Sequence, residues 1–219
     1  MQVHEATIDI QLKELRLSSF KSNWQDVEQL AIQKNYSYGE YLSYLCNMEI
    51  DRRVSMRLVR RIKESNLRRN KTLSNFNFAE SPHINAEQIN ALAETDTWIS
   101  QSSNLIIFGP SGVGKTHIAS AIAYRKLEKG YRVKFFQTSH IVQHLQLAKN
   151  EYRLKEELLK LDKIPLIILD DIGYVKKDEY ETSVLFELIS HRYETSSIII
   201  TANQPFSKWD NIFPDSMMS

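Results

Sequence analysis

Leu105-Ile106-Ile107-Phe108 runs directly into Gly109-Pro110-Ser111-Gly112-Val113-Gly114-Lys115-Thr116-His117, and these two segments read together decide the fold. The apolar run has the length and composition of a buried strand. The residues from Gly109 to Thr116 match G-x-x-x-x-G-K-[ST], a glycine-rich turn that turns backbone N–H groups toward one point. A helix opening near Lys115 directs the positive end of its dipole to the same point. The arrangement is a phosphate cradle, in which Lys115 reaches the β- and γ-phosphates and the Thr116 hydroxyl ligates Mg²⁺. An ordinary glycine turn between strand and helix would leave the Lys-Thr pair unexplained, so the segment implies a nucleoside triphosphate site.

Working outward from the cradle, strands and helices alternate. Short apolar strands are predicted at 105–108, 132–136, 166–170 and 197–202 with helices between them, the first helix closing at Gly130. Strands apolar on both faces and joined by helical crossovers imply a parallel α/β sheet covered on each side, with ligands at the carboxyl ends of the strands. Up to about residue 71 the pattern is helical throughout. Leu12, Leu15 and Phe20 precede Trp24, Val27 and Leu30 at helical spacing, and Ser37-Tyr-Gly-Glu40 reads as a capping box opening a long helix through Ile62. Residues 72–88 form a connector, and Ala86 to Ser100 is expected as a further helix. The expected organisation is a helical domain over 1–71 and a P-loop domain over 72–219.

The metal needs a carboxylate, and Leu166-Ile-Ile-Leu169 followed by Asp170-Asp171 supplies one. An apolar strand ending in Asp is commonplace alone; downstream of a phosphate cradle it is the Walker B arrangement. Asp170 is assigned to the metal through water, and Asp171 to orienting the attacking water. Two adjacent carboxylates repel unless a cation stands nearby, and the plainer role for Asp171 is capping the turn at Gly173. Ile198-Ile-Ile-Thr-Ala-Asn203 delivers Thr201 and Asn203 to the same sheet edge, where a neutral side chain can sense the γ-phosphate; turn chemistry before Pro205 is the alternative. Arg192 is the single arginine after Arg153. It is either a finger acting in a neighbouring subunit or a surface salt-bridge residue, and otherwise the finger comes from elsewhere or hydrolysis is slow.

The charge balance of +1 conceals an asymmetry: residues 1–71 hold 13 Lys/Arg against 9 Asp/Glu, and residues 72–219 hold 15 against 18. Much of the excess lies between Arg52 and Lys71. Arg53, Arg57, Arg60 and Arg61 share one arc of the helix beside an apolar arc of Val54, Leu58 and Ile62. With Arg52, Lys63, Arg68 and Arg69 they form a face matched to duplex phosphates, and binding would be independent of sequence and sensitive to salt. A solvated charged face is the alternative. Cys46 is the single cysteine, which excludes an internal disulfide and a cysteine-based zinc site. His140 and His144, spaced i, i+4, lack the Glu of a zinc signature and read as ordinary helix residues. No apolar run has the length of a membrane span, and Glu5 and Asp9 interrupt any signal peptide, so a cytoplasmic protein is expected.

Taken together these residues resemble the IstB-type helper ATPases of bacterial transposition, which are similar to the DnaC and DnaI helicase loaders of the AAA+ superfamily. The resemblance spans nearly the whole chain. It runs from Glu49-Ile-Asp-Arg-Arg53 through Phe76-Asn-Phe78, Trp98-Ile99, the cradle with its flanks, Gly130-Tyr-Arg-Val133 and Leu169-Asp-Asp-Ile-Gly-Tyr174. It continues through Leu185-Phe-Glu-Leu-Ile189 and Arg192-Tyr193 to Thr201-Ala-Asn-Gln-Pro-Phe-Ser-Lys-Trp209. It implies an ATP-dependent homo-oligomer that binds duplex DNA, helps to choose a target site and engages a transposase. It also implies Asn203 as the sensor residue and Phe76 to Phe78 near the adenine. Two departures stand out. Many relatives read Asp-Glu in place of Asp170-Asp171, which shortens the reach toward a water, and the family continues beyond Phe213-Pro-Asp-Ser216 into a further strand and a sensor arginine. The alternative in a different class is a nucleotide-gated DNA-binding scaffold, similar to a helicase loader, with negligible hydrolysis. A small-molecule kinase would need lid arginines, and none follows Arg192. ATP is preferred over GTP because no Asn-Lys-x-Asp guanine signature is present.

Overall fold

The computed structural model describes residues 5–174 and 179–204. They form two compact units, one up to Arg60 and one from Arg61 on. In the first unit, α1 (Glu5–Glu14) and α2 (Ser18–Lys34) precede α3 (Tyr38–Ser65). The capping box forms reciprocally: the Ser37 N–H donates to Glu40 Oε2 at 2.7 Å and the Glu40 N–H donates to Ser37 Oγ at 3.3 Å. Phe20, Val27 and Leu45 make the apolar centre, with Leu12, Leu17, Trp24, Tyr41 and Met48 packed around it. Beside it, the buried Glu49 accepts the Ser19 N–H at 2.7 Å and the Arg53 Nε at 2.8 Å. The carboxylate thereby satisfies a donor that the start of α2 leaves open.

The division between units falls inside α3, ahead of the expected 71/72 boundary, because the end of this helix is tied to the second unit. Lys134 Nζ donates to the Glu64 carbonyl at 2.7 Å, and Ser65 and Leu67 are buried. Asn66, at φ 60, then turns the chain out of the helix.

From here the order is α4 (Ala86–Glu94), α5 (Thr97–Ser100), β1 (Leu105–Phe108), α6 (Lys115–Glu128), β2 (Val133–Gln137), α7 (Thr138–Asn150), α8 (Leu154–Asp162), β3 (Leu166–Asp170), α9 (Glu179–Arg192) and β4 (Ser197–Ala202). The expected parallel α/β sheet is present, with order β1-β4-β3-β2 and every pairing parallel. Alternate residues of the two central strands, Ile167 and Leu169 with Ile198 and Ile200, pack against α7, α8 and α9. Their neighbours, including Asp170 and Thr201, therefore point to the opposite face, and α6 lies against the sheet there.

The helix expected over 86–100 is interrupted. Thr95 is extended, and the Lys126 ammonium, fully buried, takes both its carbonyl and the Asp96 carboxylate. A continuous helix would have used that carbonyl internally. Gly130 closes α6 at φ 98, with the Tyr131 N–H reaching back to the Lys126 carbonyl at 3.0 Å. Among the described residues no helix is long and apolar enough to cross a membrane.

Burial alone would push the Glu49 carboxyl up, but the Ser19 N–H and the Arg53 guanidinium outweigh it and hold it below the usual range. A lowered folded pKa contributes stability above the unfolded value that is lost as pH falls through the folded one. Glu49→Gln is expected to cost about 2 kcal/mol near neutral pH. Denaturant titrations should show that difference vanishing on acidification; a difference independent of pH would contradict the role of the charge.

Candidate functional site

The loop between β1 and α6 is built by glycines where the backbone demands them. Gly112 and Gly114 stand at φ 85 and 91, and a Cβ on Gly114 would lie 2.6 Å from the Phe76 ring. Phe76 in turn meets the Phe78 ring at 4.8 Å and the His117 ring at 5.1 Å, both edge-on. His117 Nε2 also hydrogen-bonds to the Thr72 carbonyl at 2.9 Å. The connector is thus laid over the start of α6, which brings Phe76 and Phe78 to the loop. Lys115 is buried, and its ammonium donates to the Pro110 carbonyl at 2.8 Å, bracing the loop across its own opening.

Strand alternation sets the acids. Asp170 closes β3 on the α6 face, where its Oδ2 accepts the Thr116 hydroxyl at 3.2 Å and its Oδ1 accepts the Thr201 hydroxyl at 2.7 Å. Thr138 holds the Asp170 carbonyl at 2.8 Å. Thr201, fully buried, also accepts the Asp171 N–H at 2.9 Å, and Asp171 turns off the strand at φ 59. Adjacent carboxylates are thereby sent in different directions. Burial, and then the charge of Asp170, push the Asp171 carboxyl above the ordinary carboxylate range, while Lys115 and Lys71 pull it back. Thr116 and Asp170 offer two hard oxygens side by side at the mouth of the cradle. That donor set fits Mg²⁺, which keeps waters and takes few protein ligands.

A cavity of about 500 Å³ opens at this point, and Thr116, Asp170, Asp171, Arg68 and Lys71 are among the residues that line it. Burial, and then Arg68, hold the Lys71 ammonium below its usual range, while the two aspartates act in the opposite sense. Neither cation was placed here by sequence reasoning, and neither was the Thr201 clamp. The weak signal for the cations is proximity in sequence to Phe76, which packs on the loop.

The remaining expected residues separate. Asn203 follows β4 at the carboxyl edge and is half-buried; the segment Pro205 to Trp209 lies outside the described residues. Arg192 is corrected: it is neither a finger nor a surface salt-bridge residue. Its guanidinium is fully buried and donates to the carbonyls of Leu161 at 2.8 Å, Ile164 at 2.8 Å and Ser197 at 3.4 Å. Burial pushes it down to about 10, with Asp162 opposing, so it remains charged at neutral pH. It joins the ends of α8, α9 and β4. The basic run is also divided. Arg52, Arg57 and Arg60 are exposed on α3, whereas Arg53 is engaged by Glu49 and by the Arg16 carbonyl at 3.0 Å. Arg61 is half-buried, with Nη1 against Gly130, and Lys63 is exposed. Arg68 and Arg69 stand beyond the end of α3, Arg68 at the cavity.

Known proteins share this plan. Residues 10–219 match the family model described as IstB-like ATP binding protein. An insertion sequence ATP-binding protein of Sinorhizobium fredii is 43% identical over 217 residues, 99% of this chain and 73% of its own length. The ATP-binding protein of insertion sequence IS21 from Pseudomonas aeruginosa is 32% identical over 217 residues, 99% of this chain and 81% of its own. Among solved structures, AMPPCP-bound DnaA from Aquifex aeolicus aligns at a TM-score of 0.55 and 23% identity, over 64% of this chain and 44% of that one. The DnaC helicase loader aligns at 0.52 and 24%, over 66% and 83%. At those identities the structures establish a shared fold alone.

Arg192→Met should lower stability by about 3 kcal/mol or more, because three buried carbonyls lose a charged donor. The check is a denaturant midpoint together with triphosphate affinity of the folded protein, which should not change. Lost affinity at unchanged stability would return Arg192 to the site.

Proposed function

The chain belongs to the IstB-like ATP-binding protein family, and we propose that it is an ATP-dependent, DNA-binding helper of insertion-sequence transposition. One observation carries the ATPase part of this reading: the contact between Thr116 and Asp170 at the mouth of a loop braced by Lys115. The backbone N–H groups of the loop bind the phosphates, and Lys115 exchanges the Pro110 carbonyl for phosphate oxygens. Thr116 and Asp170 hold Mg²⁺, which when bound supplies charge neutralisation on the terminal phosphates. Asp171 orients the attacking water, and its separation from Asp170 by the Thr201 clamp leaves its carboxylate uncommitted to the metal. Phe76 and Phe78, seated on the loop, supply an apolar surface for the adenine, and Asn203 senses the terminal phosphate from the end of β4.

The exposed arginines of α3 support binding to the phosphates of duplex DNA in a largely sequence-independent way. Nucleotide occupancy would then govern how copies of the chain associate along the duplex, and the assembled form would engage a transposase in the cytoplasm. A second reading, a nucleotide-gated scaffold with negligible hydrolysis, is favoured by one observation. Arg192 is committed to holding carbonyls, so this arginine supplies no finger. Steady-state phosphate release with and without duplex DNA separates the two.

Lys115→Ala is expected to abolish nucleotide binding and with it ATP-stimulated assembly on DNA, measured by calorimetry and sedimentation; unchanged assembly would contradict the mechanism. Reversing charge at the exposed Arg52, Arg57 and Arg60 should weaken DNA binding on every sequence alike. The slope of log K against log salt should become shallower by about 0.9 for each phosphate that the variant no longer neutralises. Equal affinity in the triple variant would leave that face a role in solubility alone.

A further inference from the structure

Asn66, Arg68 and Lys71 line the same cavity as Thr116, Asp170 and Asp171. Their positions are built rather than incidental. Leu67 is buried and its N–H is held by Ser65 Oγ at 3.1 Å, anchoring the segment. The Lys71 N–H closes a turn on the Arg68 carbonyl at 3.1 Å, and the Asn75 side-chain amide ties down the Asn70 carbonyl at 3.0 Å. One short, braced turn therefore presents two cations to one cavity. The connector that follows is fastened to the loop itself by His117 on Thr72 and by Phe76 on Gly114.

Among the described residues neither Arg68 nor Lys71 makes an ion pair within 4 Å, although two carboxylates line the same cavity and act on the Lys71 charge. Elsewhere in the chain Arg125 pairs with Glu94 and Glu128, and Lys160 pairs with Glu157. Here the space between cations and carboxylates has room for a polyanionic group. The end of the cradle marked by Thr116 and Asp170 is the end at which a triphosphate is longer than a diphosphate.

Resting on the nucleotide-site reading above, we infer that Arg68 and Lys71 form a second, cationic wall for the terminal phosphate, so that the turn after α3 distinguishes ATP from ADP within one subunit. Guanidinium and ammonium donors bind the added phosphate oxygens, which carry the extra negative charge that ADP lacks. The β-phosphate remains with Lys115 and the loop N–H groups, so the diphosphate gains little from the wall.

The test is calorimetric titration of the full chain with Mg-AMPPCP and, separately, Mg-ADP. The variants are Arg68→Gln, Lys71→Gln, Lys71→Arg and Lys115→Ala. Arg68→Gln and Lys71→Gln should each weaken AMPPCP about tenfold or more, the scale of a charged hydrogen bond, and leave ADP affinity within a factor of two. Lys71→Arg should recover most of the AMPPCP affinity. Equal loss for both nucleotides, or no loss for either, would overturn the inference and make the two cations counter-charges for Asp170 and Asp171. Lys115→Ala keeps the two claims apart. If it abolishes binding of both nucleotides while the Gln variants leave the AMPPCP to ADP ratio unchanged, only the wall fails. If Lys115→Ala binds as the parent does, the nucleotide site fails with it. Should Lys71→Gln not fold, Arg68→Gln, an exposed position, decides the question alone.

Discussion

The Asp170 carboxylate takes one hydrogen bond from the phosphate loop, through Thr116, and one from the neighbouring strand, through Thr201. That double acceptance locks the loop, the start of α6 and the carboxyl edge of the sheet into one geometry. A single carboxylate can do this because the parallel register sets Leu169 against Ile200. The next residue of each strand, Asp170 and Thr201, then falls on the face that α6 covers. The Thr201 bond, at 2.7 Å, has the short length of a charge-assisted contact, and the Thr116 bond, at 3.2 Å, is the longer of the two. They also leave the oxygens oriented for a metal rather than for each other. The positive φ of Asp171 follows from the same clamp, since its N–H is claimed by the hydroxyl that holds Asp170.

Charge is managed around this centre by position instead of pairing. Lys115 rests on a carbonyl, and Arg68 and Lys71 line one cavity with the aspartates without an ion pair within 4 Å. Cations needed for the fold are handled differently. Lys126 is sealed against Asp96 and Trp98, and Arg192 is spent on three carbonyls, both with no exposed surface. Lys126 and Arg192 thus serve the fold, whereas Lys115, Arg68 and Lys71 stand at the site.

Much of this was legible in the sequence because it rests on local rules. The strand into the glycine loop, the apolar run ending in paired acids, and the Ser37–Glu40 capping box are short-range patterns whose physics is complete within a few residues. Strand positions were read to within one residue at β2, and the parallel direction of the strands follows from the helical crossovers. What could not be read is long-range. Arg192 lies as far as 31 residues from a carbonyl it holds, and no periodicity reports that partner. Lys126 breaks the expected 86–100 helix from 31 residues away. The basic run reads as one face as far as Arg69, yet the chain leaves the helix at the left-handed Asn66, and Arg68 and Lys71 come to line the cavity. Asparagine is tolerated there, but its presence alone does not announce the turn.

The central claim is that the loop and the Thr116–Asp170 pair hold a magnesium nucleotide. A crystal structure of the full chain grown with Mg²⁺ and AMPPCP tests it most directly. Phosphates are expected on the loop N–H groups, with the Lys115 ammonium moved from Pro110 to phosphate oxygens and a metal beside Thr116 and Asp170. Nucleotide bound elsewhere, or Lys115 still on Pro110 with the cradle filled, would contradict it.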